Sequence, residues 1–273
     1  MEAHLKDHRN GFSIGYTPIT TLTDITYPTG IELGVLKLQK GNTFSEKTTL
    51  ETAYLLMHGC LKITTHDDET KTHHFNRTSL FNEAPSCIHL STQKTITLIA
   101  ESDIELTVYK TTNPTPFPNH FYDPSATRNE HRGKGLVGDT SYRFVRTIFD
   151  KRNAPPEALL VLGEVITFPG RWSSYPPHHH TQPEIYHYRF DKPAGYGHSE
   201  WGENVFLVKA YDTVKIVDGV DHAQCAAPGY AMYYSWVIRH LPDDPYLTPT
   251  FTQAHDWTQQ TGAAYWQPTE AKS

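Results

Sequence analysis

The sequence of 273 residues has few cysteines, no excess of basic residues and no long apolar run. Its three cysteines, Cys60, Cys87 and Cys225, lie far apart, so the spacing suggests neither a CxxC metal site nor a disulfide framework. Such scattered thiols are typical of a reducing compartment. No apolar stretch approaches the roughly 18 residues of a membrane-spanning helix, and the first residues lack the apolar segment of a signal peptide. We therefore expect a cytoplasmic protein.

Basic charge is also scarce. The chain has 24 Lys and Arg residues against 30 Asp and Glu residues, which gives a formal charge of −6. Proteins that bind nucleic acids or anionic membranes need a dense footprint of Lys and Arg. We therefore expect neither as a main partner.

Helical periodicity is missing as well, because apolar residues nowhere keep the i, i+3, i+4, i+7 spacing for long. Instead, short segments rich in β-branched and aromatic residues alternate with turn-forming residues. Examples of predicted strands are Thr95–Ala100, Ile104–Tyr109, Glu184–Phe190 and Asn204–Lys209. Many short strands at this spacing predict an all-β sandwich or barrel, with jelly rolls and cupins among the candidates.

The middle of the chain suggests a domain boundary. Residues 112–119 are dense in proline, and the residues after them lack a strand pattern. We interpret this stretch as a linker between two β domains, residues 1–126 and 127–273. The run from Glu51 to Tyr54 resembles the run from Glu184 to Tyr186, which fits a duplicated barrel.

The most informative segment reads WSSYPPHHHTQPEIY and begins at Trp172. Alternate residues of a strand point to the same side, so His178 and His180 can converge while His179 points away. Glu184 begins the next extended segment, and His222 follows after another strand and a turn. Three imidazoles and one carboxylate suit a divalent transition metal.

The alternative interpretation is that the HxH pair arises by chance and binds no metal. The sequence contains 17 histidines, and such a number produces HxH pairs by chance. His89, for example, has no HxH partner upstream in its half of the chain, and we interpret it as a structural histidine.

The motifs resemble those of the 5-deoxy-glucuronate isomerase family of myo-inositol catabolism. The resemblance rests on residues 170–190, on residues 218–234 and on the run from Arg239 to Pro245. It extends back through residues 131–135 and 143–148, and more faintly to residues 51–54 and 76–81, so it covers most of the chain.

This resemblance implies a bicupin of two jelly-roll-like β-barrel (cupin) domains, of which the N-terminal one is degenerate and the C-terminal one binds the metal. The implied ligands are His178, His180, Glu184 and His222. Zinc or manganese is the expected ion, with iron or nickel as alternatives. The implied reaction is the aldose–ketose isomerisation of 5-deoxy-glucuronate to 5-dehydro-2-deoxy-gluconate.

The reaction needs a group that moves a proton between C2 and C1, and the candidates for this catalytic role are Glu184, Tyr175 and Tyr186. The substrate carboxylate calls for a cation, and arginine provides a planar, bidentate partner. Arg189 and Arg239 match arginines of the family pattern, and a packing or ion-pair role is the alternative for each.

The chain departs from the family pattern next to the ligands, at Thr181, in the spacing before Glu184, and around Asp221 and Ala223. Alternative functions therefore stay open: a ketol-isomerase for another uronate of the 4-deoxy-L-threo-5-hexosulose-uronate type, an iron dioxygenase, or a non-catalytic sugar-binding bicupin. Exposed barrel edges also predict a homo-oligomer.

Overall fold

The computed structural model describes residues 3–66 and 70–269, and within these ranges the protein is almost entirely β-structure. The strands are β1 (His4–Leu5), β2 (Gly15–Pro18), β3 (Glu32–Leu38), β4 (Thr43–Lys47), β5 (Glu51–His66), β6 (Thr70–Arg77), β7 (Cys87–Leu90), β8 (Thr95–Ala100), β9 (Ile104–Thr111), β10 (His120–Tyr122), β11 (Arg128–Arg132), β12 (Arg143–Phe149), β13 (Leu160–Thr167), β14 (Trp172–His179), β15 (Glu184–Phe190), β16 (Tyr196–Trp201), β17 (Asn204–Lys209), β18 (Thr213–Ile216), β19 (His222–Ala226), β20 (Met232–Arg239) and β21 (Thr250–Phe251). Three short 3-10 helices cover Pro124–Ala126, Val137–Asp139 and Gln253–Gln259. The all-β prediction is confirmed, and so are the four strands predicted as examples. No helix of the described residues is long and apolar enough to cross a membrane.

The N-terminal barrel is built around the long strand β5, which takes part in two sheets. Its first half pairs with β7 and β9, and its second half pairs with β6 and β8. The register of β5 against β9 shifts between Leu56 and His58, which marks a β-bulge where the strand passes from one sheet to the other. β3 pairs with β9, and β4 pairs with β8, which completes the two layers.

The C-terminal barrel repeats this arrangement with a seven-stranded sheet, in the order β1-β18-β15-β20-β13-β12-β11, and a five-stranded sheet, in the order β17-β16-β19-β14-β21. β20 lies between β13 and β15 just as β9 lies between β3 and β5. The repeat shows that both halves fold by one strand order, with two separate strands, β15 and β16, in the place of the long β5.

Three apolar clusters pack these layers. One fills the interior of the N-terminal barrel, one lies inside the C-terminal barrel, and one joins the two domains. Alternation along single strands separates the clusters, because neighbouring residues face opposite sides of a sheet. On β5, for instance, Tyr54 and Leu56 face the barrel interior, whereas Ala53 and Leu55 face the other domain.

The chain passes from the N-terminal barrel to the C-terminal barrel between β10, which pairs with β7, and β11, which pairs with β12. This transition falls close to residue 126, where the proline-rich segment suggested a boundary. One element crosses it: β1 pairs with β18 of the C-terminal sheet, and Arg9 donates two hydrogen bonds to Asp212. The division into domains of residues 1–126 and 127–273 stays a prediction.

Candidate metal centre

The buried side chains of His180, Glu184 and His222 converge at one end of the C-terminal barrel. Their ligand atoms all lie within 4.8 Å of one another. The Oε2 atom of Glu184 lies 3.1 Å from Nε2 of His180 and 3.3 Å from Nε2 of His222. Within residues 3–66 and 70–269 this is the one group of three or more such side chains close enough to hold a metal ion.

His178 lies beside this group. It is opposite His222 in the register of β14 against β19, and the centroids of the two rings are 4.3 Å apart. The His180 ring is 6.4 Å away on the same side. The intervening His179 is 42% exposed and forms an ion pair with Asp221. The predicted alternation of the three consecutive histidines is therefore confirmed.

Backbone carbonyl groups orient all three clustered histidines. Nδ1 of His178 lies within hydrogen-bond distance of the backbone oxygens of Ser174 and Pro176. Nδ1 of His180 contacts the backbone oxygen of Gln182, and Nδ1 of His222 contacts that of Val220. Because a carbonyl oxygen only accepts hydrogen bonds, each Nδ1 carries the proton and each Nε2 presents a lone pair.

This proton arrangement fits a metal ion. In His180 and His222 the Nε2 lone pair faces the carboxylate oxygen of Glu184, so a cation between them stabilises the contact. The Nε2 atom of His222 is buried and has no hydrogen-bond partner among the described residues. Metal-ligating histidines commonly donate their second ring nitrogen to a carbonyl group in the way seen here. The donor set therefore suits a divalent ion such as zinc, iron or nickel, and the carboxylate also suits manganese.

Strand ends bring these residues together. His178 lies near the end of β14, Glu184 is the first residue of β15, and His222 is the first residue of β19. β14 pairs with β19 in one sheet and β15 lies in the facing sheet, so residues separated by up to 44 positions meet at the same rim of the barrel.

The electrostatics of the cluster favour an ionised carboxylate at Glu184 and a neutral imidazole at His178. Burial by itself raises the pKa of Glu184, but contacts with the positively charged forms of His180 and His222 outweigh it and bring this pKa down to about 2. A divalent cation held by the neutral imidazoles would supply the same positive charge. Burial and the neighbouring His222 lower the pKa of His178 well below its ordinary value, so that ring is neutral at pH 7. Both states are those in which these side chains bind metals.

The cluster borders a cavity with about 780 Å³ of empty space, solvent at its mouth included. Alternate residues of β12 line the cavity, and so do residues of the segment from Tyr246 to Phe251. Polar side chains that line the cavity include Arg132, Arg143, Thr147, Asp150, Arg152, Ser174, His178, Glu184, Tyr186, Tyr246 and Thr248.

Tyr186, a predicted catalytic residue, lines this cavity. Its hydroxyl lies 3.4 Å from the Ser174 hydroxyl, which is 2.9 Å from the Tyr234 hydroxyl. Burial and the charge of Glu184 raise the pKa of Tyr186 well above its ordinary value. Tyr186 is therefore protonated at neutral pH and can donate a hydrogen bond.

Tyr175 lies outside the cavity and lines a neighbouring pocket with Arg132, Phe251 and Thr258. Its ring packs near Trp172, with centroids 5.6 Å apart. Burial and the charge of Glu200 raise the pKa of Tyr175. The structure does not bring this side chain to the histidine cluster.

Arg189 and Arg239 also point away from the cavity. Arg189 follows Glu184 by an odd number of residues on β15, so it faces the N-terminal domain, where it contacts Glu105 at 2.7 Å. Arg239 donates from Nε to Thr111 of the N-terminal domain at 2.8 Å. Both arginines lie between the two barrels, where Arg189 forms an ion pair and Arg239 a hydrogen bond.

Arg143, Ser174 and Tyr246 also line the cavity and were not among the candidates from the sequence. A signal for Arg143 exists, because Arg143, Val145 and Thr147 alternate along β12 and all three line the cavity. The alternation alone does not tell which of the two faces of β12 points inward.

Comparisons with known proteins agree with this fold. Residues 5–258 match the model of the KduI/IolB family. The 5-deoxy-glucuronate isomerase of Bacillus subtilis (strain 168) is 25% identical over 241 residues, which cover 82% of this chain and 86% of that protein. The enzyme of the same name from Geobacillus thermodenitrificans is 26% identical over 255 residues, or 84% of this chain and 86% of that one.

Two solved structures show the same fold. An IolB-like protein from Salmonella typhimurium superposes with a TM-score of 0.77 at 22% identity and covers 91% of this chain and 97% of its own. Oxalate decarboxylase from Bacillus subtilis superposes with a TM-score of 0.63 at 10% identity and covers 88% and 75%. The predicted bicupin architecture of two jelly-roll-like barrels is confirmed.

Proposed function

The chain belongs to the KduI/IolB family, and from this premise we propose that it is a metal-dependent aldose–ketose isomerase. The proposed substrate is 5-deoxy-glucuronate, which is converted to 5-dehydro-2-deoxy-gluconate in inositol catabolism. The observation that carries the proposal is the His180–Glu184–His222 cluster, whose Glu184 lines the same cavity as Tyr186. The curated relatives named for this isomerase activity support the choice of reaction.

The proposed metal ligands are His178, His180, Glu184 and His222, all of them buried. Zinc or manganese is the proposed ion, and iron or nickel fits the same imidazole-rich donor set. Such an ion polarises a carbonyl or hydroxyl oxygen and so acidifies the neighbouring C–H bond.

Side chains of the protein then transfer the proton. Among the described residues, both close contacts of the Glu184 carboxylate involve Oε2, so we assign Oε1 the transfer of the proton from C2 to C1. The aldehyde oxygen gains a proton and the C2 hydroxyl loses one, and the reaction needs no external oxidant or reductant. Tyr186 is protonated and donates a hydrogen bond to the oxygen on which negative charge develops.

We also propose a cytoplasmic location and a homo-oligomeric state. The three cysteines are free, which suits a reducing compartment. Large apolar side chains are exposed, with Ile25 at 92% and Trp266 at 84%. Light scattering coupled to size-exclusion chromatography measures the oligomeric state directly.

An NMR assay with a panel of uronates tests the proposed function. We expect the purified protein, with bound metal measured by elemental analysis, to convert the aldehyde signals of 5-deoxy-glucuronate into those of the ketose. A chelator should abolish the conversion, and zinc or manganese should restore it.

Three other outcomes would replace the proposal. Conversion restricted to 4-deoxy-L-threo-5-hexosulose-uronate would make the protein an isomerase for that uronate. Binding without conversion would indicate a sugar-binding bicupin. Oxygen uptake with bound iron would indicate a dioxygenase, and absence of any divalent metal from the active protein would contradict the mechanism.

A further inference from the structure

Four arginine side chains are buried in the described residues, and three of them pair with a carboxylate. Arg77 and Arg146 both contact Glu164, and Arg189 contacts Glu105. The fourth, Arg143, is 6% exposed and has no carboxylate partner among the described residues. A buried charge without a counter-charge is costly, and this cost favours binding of an anion.

Arg143 has hydrogen-bonding capacity left over. Its two terminal nitrogens donate to backbone oxygens, one to Ser141 and one to Tyr175, each at 2.9 Å. These two bonds hold the guanidinium in place. Its Nε–H is buried and has no partner among the described residues. Burial lowers the pKa of Arg143 to about 10, so the side chain is still charged at neutral pH.

The position of Arg143 also fits a ligand. It is the first residue of β12 and lines the cavity that contains His178, Glu184 and Tyr186. Two other arginines line this cavity, but Arg132 pairs with Glu130 at 2.6 Å and Arg152 pairs with Asp150 at 2.9 Å. Arg143 is therefore the cavity arginine whose charge is left for a bound anion.

We propose that Arg143 binds the substrate carboxylate and makes the cavity selective for uronates over neutral sugars. This role rests on the proposed isomerase function and replaces Arg189 and Arg239 as the carboxylate partner. The substrate then lies with its carboxylate at Arg143 and its aldehyde end at the histidine cluster. A guanidinium held by two backbone bonds loses little entropy when it binds a planar carboxylate.

The test compares Arg143→Gln and Arg143→Lys with the wild-type protein. The two substrates are 5-deoxy-glucuronate and its neutral counterpart with an alcohol at C6, 5-deoxyglucose. A hydrogen bond to a charged group corresponds to roughly a 10- to 100-fold change in affinity. We expect Arg143→Gln to raise the KM for the uronate by about this factor and to leave the kcat/KM for the neutral sugar unchanged. Arg143→Lys should recover part of the loss, because it keeps the charge but not the fork geometry.

The matched control is Arg152→Gln, which removes an exposed and paired arginine at the rim of the same cavity. Metal content and melting temperature are measured for every variant, because Arg143 also braces the backbone of Tyr175, three residues before His178. A merely structural role would lower the metal content and impair both substrates equally, and this result overturns the proposal.

The outcomes separate this inference from the proposed function. If the wild-type protein isomerises the uronate and Arg143→Gln raises its KM no more than Arg152→Gln does, the role of Arg143 is wrong and the isomerase function stands. If the wild-type protein isomerises no uronate but binds one in calorimetry, and Arg143→Gln weakens that binding selectively, the role of Arg143 stands and the isomerase function is wrong. Failure of the wild-type protein to bind any uronate overturns both.

Discussion

In the N-terminal barrel the inward face of β5 carries Tyr54 and Leu56, whereas the inward face of β15 in the C-terminal barrel carries Glu184, Tyr186 and Tyr188. The two strands occupy equivalent places in their sheets. β5 pairs with β9, which pairs with β3, and β15 pairs with β20, which pairs with β13. One strand order therefore supports two interiors of different chemistry.

The ends of the barrels show the same contrast. The β4–β8 ladder ends with the pair Lys47 and Thr95, and the β14–β19 ladder ends with the pair His178 and His222. In the N-terminal barrel, buried aliphatic and aromatic side chains pack the interior. A packed apolar interior stabilises a barrel without further partners, whereas a polar interior needs every group to be hydrogen-bonded or bound to a ligand.

The largest expected effect concerns the polar interior. His222→Ala should remove the bound metal and lower kcat/KM by about 1,000-fold or more, because polarisation of the substrate oxygen supplies several kcal/mol. Elemental analysis and the NMR assay measure the two effects, and circular dichroism checks that the barrel stays folded. Thr95→Ala, at the equivalent ladder position of the N-terminal barrel, is the control and should change neither. A His222→Ala protein with full metal content would contradict the assigned ligand set.

The next largest expected effect is a loss of folding stability, and it concerns the apolar interior of the N-terminal barrel. Leu106 is fully buried in the N-terminal barrel, and Leu106→Ala should destabilise the protein by about 3 kcal/mol through lost burial and a cavity. This corresponds to a fall of roughly 6–12 °C in melting temperature for a chain of this size. Metal content and kcat at 25 °C should stay the same. Val205→Ala, on an exposed part of β17, serves as control, and an unchanged melting temperature for Leu106→Ala would refute the packed interior.

The smallest expected effect is a pH dependence located at the rim of the C-terminal barrel. Burial raises the pKa of Asp150, but hydrogen bonds from Arg128 and Arg152 outweigh it and lower the pKa to about 2. A depressed carboxyl pKa stabilises the fold above the unfolded value of roughly 4, and this stability is lost as the pH falls toward 2. Asp150→Asn should therefore lessen the loss of stability between pH 5 and 2 by about 1 kcal/mol, a figure reduced for solvent screening.

Thermal unfolding at a series of pH values measures this difference. Sodium chloride at high concentration should shrink it, because salt screens partly exposed pairs. If wild type and Asp150→Asn lose stability in parallel over this range, the two arginines do not stabilise the Asp150 carboxylate.

The apparent internal repeat shows that two similar sequence runs in equivalent strands can place their glutamates on opposite sides of the sheet. Glu51 and Glu184 are each the first residue of a strand in the same topological place. Tyr54 follows Glu51 by three residues, however, while Tyr186 follows Glu184 by two. Glu51 therefore faces the other domain, where it accepts hydrogen bonds from His89, Asn113 and the backbone of Leu160. His89 is a structural histidine, as predicted.

The cluster of histidines and Glu184 was predictable because its spacing follows local geometry. His178 and His180 point to the same side because side chains alternate with a period of two along extended backbone, and His180 directly follows the end of β14. The same period explains why Arg189 cannot point where Glu184 points. The position of Tyr175 was not predictable in this way, because the register of β14 shifts between Ser173 and His178.

The sequence by itself determined the β class, several strand boundaries and the histidine and glutamate set, because these depend on alternation over a few residues. Only the tertiary structure decided which arginines line the cavity and which of them has no carboxylate partner among the described residues. β12 lies three strands away from β15 in the sheet, and closure of the barrel is what brings Arg143 and Glu184 to one cavity. By our proposal, the buried guanidinium of Arg143, which has no carboxylate partner among the described residues, provides the positive charge for the substrate that the net charge of −6 does not.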